Sequence, residues 1–140
     1  MFRLGWFVLA QDAVVDDNSN SLSIFNVLES LQARALPAGV HNISLVAHFY
    51  KEDPDDTVER SFSVRLTMET PSGEHLTLLE QSITERRSRY RIRARTGALG
   101  FAREGTYWFG LDMLSEGAWV QAARLPLTIR VVPASKAAPD

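Results

Sequence analysis

Apolar residues recur at every second position from Val58 to Met68. Val58, Phe62, Val64, Leu66 and Met68 share one side, while Glu59, Ser61, Ser63, Arg65 and Thr67 share the other, with Arg60 the lone exception. A helix cannot keep such a pattern on one face. A strand with one dry and one wet side can. The same period returns in Tyr107, Phe109, Leu111 and Met113, and in Trp119, Gln121, Ala123, Leu125, Leu127, Ile129 and Val131. Pro126 lies on the opposite face of that last run. It cannot donate a ladder hydrogen bond, so the strand is expected to be at an edge or bulged there. Ile43 to Tyr50 and Leu22 to Leu28 are apolar on both faces, as central strands are.

Turn chemistry separates these runs. Asp16-Asp17-Asn18-Ser19-Asn20, Pro71-Ser72-Gly73 and Ser115-Glu116-Gly117 each supply residues suited to tight reversals. No run of ten or more residues has helical periodicity, and Leu28 to Leu36 is the one ambiguous stretch. The sequence therefore predicts an all-β fold. It is a single antiparallel β-sandwich, immunoglobulin-like or C2-like, of about eight strands over residues 1–132, with 133–140 a frayed tail. Gly105-Thr106-Tyr107 has the form of a tyrosine corner, with Arg103 where an aspartate usually stands.

Composition narrows the function. Net charge is −2, so nothing global attracts nucleic acid or anionic membrane. The absence of cysteine removes disulfides, thiolate metal sites and cysteine nucleophiles, and fits a cytoplasmic setting. The apolar run Leu4 to Ala10 reads as a buried first strand rather than a signal segment, and no stretch approaches the ~18 apolar residues of a membrane helix.

Five arginines are the costliest local feature. Arg87, Arg89, Arg91, Arg93 and Arg95 fall on one face of a predicted strand, spanning ~26 Å. Like charges at this spacing repel unless carboxylates lie over them. Glu59, Glu69, Glu74 and Glu80 on neighbouring strands are candidates from the same chain. Otherwise an acidic partner protein supplies them, a second copy of the chain included. The chain has thirteen arginines against two lysines, which suits two-point gripping of carboxylates. Trp108, predicted on a polar face, is the other expected partner-binding residue.

Up-and-down connections would gather Asp16, Asp17, Glu52, Asp53, Asp55, Asp56, Glu85 and Glu116 at one pole. Asp16, Asp17, Asp53, Asp55 and Asp56 there offer the oxygen chemistry calcium needs, though in no strict calcium motif. Trp108 raises carbohydrate stacking as a further alternative. His41 and His48, seven apart, face opposite sides of their strand, and the chain has no nucleophile elbow, phosphate loop or zinc-protease motif. The expectation is a non-enzymatic protein-binding module without cofactor, and an enzyme is the third choice.

The early apolar strand with its polar turn, Leu22-Ser23-Ile24-Phe25, Leu36-Pro37 before His41, Gly105-Thr106-Tyr107-Trp108-Phe109 and Leu125-Pro126-Leu127 together resemble a family of uncharacterised bacterial proteins of about this length. The resemblance covers most of the chain and implies a compact β-sandwich. It brings no catalytic residues, and the arginine run is not part of it.

Overall fold

The computed structural model describes residues 1–40, 43–96 and 99–132. The expected tail, and His41 in its predicted strand, lie outside the described residues. Eleven strands follow one another: β1 (Phe2–Val15), β2 (Leu22–Val27), β3 (Ser30–Ala33), β4 (Ala38–Val40), β5 (Ile43–Lys51), β6 (Arg60–Glu69), β7 (His75–Glu85), β8 (Arg89–Thr96), β9 (Leu99–Phe101), β10 (Gly105–Ser115) and β11 (Ala118–Val131). The described residues contain no helix.

Two sheets pack face to face, in the orders β2-β1-β5-β8 and β3-β11-β10-β6-β7, with β4 and β9 pairing separately. The fold is the expected β-sandwich. The count exceeds eight because β3, β4 and β9 are short and leave little periodicity to read. One pair departs from the antiparallel rule: β3 runs parallel to the end of β11, from Thr128 to Val131.

Alternation dictates which residues enter the core. Phe7 and Leu9 of β1, Leu45, Ala47 and Phe49 of β5, and Ile92 of β8 meet Val64, Leu66 and Met68 of β6, with Tyr107, Phe109 and Leu111 of β10 and Leu127 and Ile129 of β11. Each belongs to the apolar half of a period-two run, so burial of one face drives the closure of the two sheets. Pro126 faces Trp108 across the ladder, and β3 reaches β11 only from Thr128 onward. The proline thus sits at a local edge, as its missing donor requires.

Two placements differ from expectation. β5 is central, but β2 is an edge strand. Its apolar residues on both faces do not mark a central position, since Phe25 and Val27 stand 50% and 60% exposed. The acidic pole also divides. Phe2 pairs with Lys51, so the Glu52–Thr57 loop leaves the end of β1 opposite to the one that carries the Asp16–Asn20 turn. Long-range pairing of β1 with β5 breaks the assumed up-and-down order.

Two side chains fix the corners. Lys51 is 2% exposed, and its ammonium donates to the carbonyls of Asp56 at 3.1 Å, Val58 at 2.7 Å and Arg86 at 2.6 Å. The Tyr107 hydroxyl donates to the Arg103 carbonyl at 2.9 Å and accepts from the Arg103 amide at 3.3 Å. The tyrosine corner is therefore made, with backbone atoms of Arg103 as its anchor.

Candidate binding surfaces

Strand β8 carries four of the five arginines. Tyr90, Ile92 and Ala94 turn inward, which leaves Arg89, Arg91, Arg93 and Arg95 on the outer face of the four-stranded sheet. Arg87 lies before the strand, in the turn after β7, where it pairs with Glu85. That pairing lowers the Glu85 carboxyl below its usual range and raises the Arg87 guanidinium further.

The cover over the stripe comes from the tip of the β1–β2 hairpin. Arg95 Nη2 donates to Asp12 Oδ1 at 2.6 Å, Arg93 Nη1 to the Ala13 carbonyl at 3.2 Å, and Arg91 Nη2 to the Asn20 carbonyl at 3.2 Å. Arg93 faces Val46, which faces Val8. Ala13 lies five residues beyond Val8, ~16 Å of extended strand, so the hairpin must bend back across the sheet to be reached. Burial agrees. Ala10, Ser44 and Val46 point away from the main core yet are 0%, 3% and 0% exposed, and Ala13 is 3% exposed. The Asp16 carboxylate accepts from the amides of Asn18 and Ser19, which holds it below the usual carboxylate range and tightens the turn.

The stripe is therefore partly paired by its own chain, through atoms other than those expected. Glu59 bonds Arg86 and Glu69 bonds Arg124. Glu74 and Glu80, like these two, belong to the other sheet's side of the molecule. Among the described residues, Arg89, Arg91 and Arg93 have no carboxylate within ion-pair distance. His48 stacks on Trp6 beside the stripe, with ring centroids 5.6 Å apart. Burial first, then Arg89 and Arg91, push its imidazole pKa down.

Trp108 is on the opposite side of the sandwich. It projects from β10 on the outer face of the five-stranded sheet, half-buried, with the Arg124 guanidinium 3.7 Å from its ring centre. The arginine stripe and Trp108, both expected to bind a partner, therefore occupy opposite faces of the sandwich and do not form one surface. Around Trp108 runs a groove of about 330 Å³ that Asp112, Gln121 and His75 help to line. Asp112 accepts two bonds from Arg65, whose guanidinium also lies 4.7 Å from the Trp119 ring centre. Gly110 forms the floor: a Cβ there would lie 2.7 Å from Thr67 Oγ1. The tryptophan ring is covered by an arginine of the same sheet, so its outward position is explained without a sugar. Sequence reading missed Arg124 and Arg65, because the Trp–Arg pairs form between strands.

The acidic residues considered for calcium are not assembled. Asp16 and Asp17 belong to the hairpin turn, while Asp53, Asp55 and Asp56 belong to the loop after β5. Asp53 accepts from the Asp55 amide. Asp56 accepts from the Val58 amide, which together with Arg60 lowers its pKa. Among the described residues no group of three or more His, Cys, Asp or Glu side chains is placed to hold a metal ion.

Fold and surfaces define a two-sheet β-sandwich with a basic edge strand. The chain belongs to DUF6941, a family of unknown function, which matches residues 5–130. The short motifs pointed to such an uncharacterised family. No curated protein matches the chain. Among solved structures it is similar to the PmoD soluble domain from Methylocystis sp. ATCC 49242 (Rockwell), at 15% identity over 92% of this chain and 96% of that one, with a TM-score of 0.35. A score at that level carries no functional weight.

Proposed function

We propose that the chain is a non-enzymatic, cytoplasmic binding module that docks another protein on the arginine strand β8. One observation carries this reading. Arg89 and Arg93 stand exposed on the outermost strand of a sheet without a carboxylate partner among the described residues. Exposed guanidiniums in a row are an acceptor for carboxylates supplied by a second surface. The net charge of −2 favours an acidic protein over nucleic acid as the supplier.

The test compares wild type with Arg89→Glu/Arg93→Glu in cross-linked capture from extract of the native host. Arg89 is exposed, and Arg93 gives one bond to the Ala13 carbonyl, so the double change should cost about 0.5–1.5 kcal/mol and leave the sandwich folded. A protein retained by wild type and lost from the variant supports the reading, whether it is a different protein or a second copy of the chain. Identical capture by both forms overturns it.

A further inference from the structure

Among the described residues β8 is an open edge of the four-stranded sheet. The Lys51 amide donates to the Ser88 carbonyl at 2.8 Å, and the β5–β8 register from there is unbroken. Bonded residues alternate along an antiparallel strand. So Tyr90, Ile92 and Ala94 direct their backbone groups to β5, while Arg89, Arg91, Arg93 and Arg95 direct theirs away from it. Among the described residues, β5 is the only strand paired with β8.

Beside this edge runs a cleft of about 610 Å³ that separates β8 from β7, the edge of the other sheet. Every residue from Tyr90 to Thr96 lines it. Consecutive residues of a strand line one cleft only when the cleft follows the strand's rim. The far wall is made by Leu78, Leu79 and Gln81 of β7. A bulge in β7 pairs Leu66 with Leu79 and Thr67 with Thr77, which leaves Leu78 unpaired, and Leu78 and Leu79 both pack toward the core. Leu99 closes one end. The rim thus has guanidiniums on its outer side and half-buried leucines on its inner side.

We infer that β8 accepts an extended segment of a partner protein as an added strand, and that this segment alternates acidic with apolar residues. Its backbone meets the free N–H and C=O groups of Arg89, Arg91, Arg93 and Arg95. Its acidic side chains share the outer face with the guanidiniums, and its apolar side chains enter the cleft against Leu78, Leu79 and Leu99. A second copy of β8 is excluded as the occupant, since pairing would set arginine against arginine. A neutral strand leaves Arg89, Arg91 and Arg93 uncompensated, so the same charges that guard the edge also select the partner.

This inference rests on the proposed protein-binding role of β8 and names the mode of binding. The probe is a synthetic peptide of about nine residues, long enough to span β8, alternating glutamate and valine. Controls are the same composition in two blocks, and an alternating glutamate–serine peptide. Binding is read by fluorescence anisotropy, and amide exchange is followed residue by residue. The alternating glutamate–valine peptide should bind at least tenfold tighter than either control. It should slow amide exchange at Arg91 and Arg93 at least tenfold. N-methylation of one alternate set of peptide amides should abolish binding, and of the other set leave it intact. Equal binding of all three peptides, or unchanged exchange at Arg91 and Arg93, overturns strand addition. The capture result with Arg89→Glu/Arg93→Glu does not depend on that outcome, so failure of the mode and failure of the docking role are told apart.

Discussion

Arg95 and Asp12, 83 positions apart in the chain, form an ion pair at 2.6 Å between the edge strand β8 and β1, two strands away. It is possible only because the β1–β2 hairpin bends over the sheet. Arg95 is 60% and Asp12 45% exposed at the side chain, so water screens the pair. Asp12→Asn should cost roughly 0.2–1 kcal/mol of stability, and less at high salt. Its clearer mark should be local: faster amide exchange near Ala10 and Ser44, beneath the hairpin, with little change near Phe109.

Lys51 should tolerate nothing shorter or uncharged. Lys51→Met leaves three carbonyls without their donor, at about 1–3 kcal/mol for each that stays away from water. We expect a total loss of ~3 kcal/mol or more in urea unfolding. Lys51→Arg should recover little of it, because a planar fork does not match three carbonyls converging on one ammonium.

The tyrosine corner is worth less. Tyr107→Phe keeps the buried ring and removes only the two bonds to Arg103. A loss of about 1 kcal/mol is expected, visible as a modest fall in the midpoint of denaturant unfolding without change in slope.

His48 sets a pH dependence. Its pKa is lower folded than unfolded, so the unfolded chain binds the proton more tightly. His48 favours folding fully above the ordinary imidazole range, about 6.5. That contribution is lost as pH falls through its lowered folded value. Stability measured downward from pH 7.5 should therefore decline in this window, and His48→Gln should flatten the decline there. Asp16, Asp56 and Glu85 also have lowered values, so their stabilisation is lost only in more acidic solution, below the usual carboxylate range.

The floor of the Trp108 groove offers a packing test. Gly110→Ala places a methyl 2.7 Å from Thr67 Oγ1. The expected cost is about 1–3 kcal/mol, and Thr67→Ser should not relieve it, because the hydroxyl can remain in place.

Local burial is legible in the sequence. Val64, Leu66 and Met68, or Tyr107, Phe109 and Leu111, announce their buried face by spacing alone, and Tyr107 announces its corner. Which sheet each strand joins is decided by partners far along the chain, and no local pattern carries that information. Trp108 and Arg91 both point outward, but from opposite sheets, a difference invisible in either segment. Glu69 was expected over the stripe and instead bonds Arg124. Asp12, which does reach the stripe, lies in an apolar-flanked stretch with no sign of its role. Leu22 to Leu28 has the pattern of a central strand because exposed Phe25 and Val27 imitate burial.

The folded-back hairpin has a kinetic consequence. Its anchors, Arg91, Arg93 and Arg95, do not exist as a surface until β8 has joined β5. Closing contacts across so much chain costs entropy that only a formed sheet offsets. The tip of the hairpin is thus among the last parts to settle during folding. It should also be among the first to open afterwards, because its turn residues Asp16 to Ser21 are exposed. Each such opening would uncover Val46 and free three guanidiniums at once, leaving the basic strand bare while the sandwich stays folded.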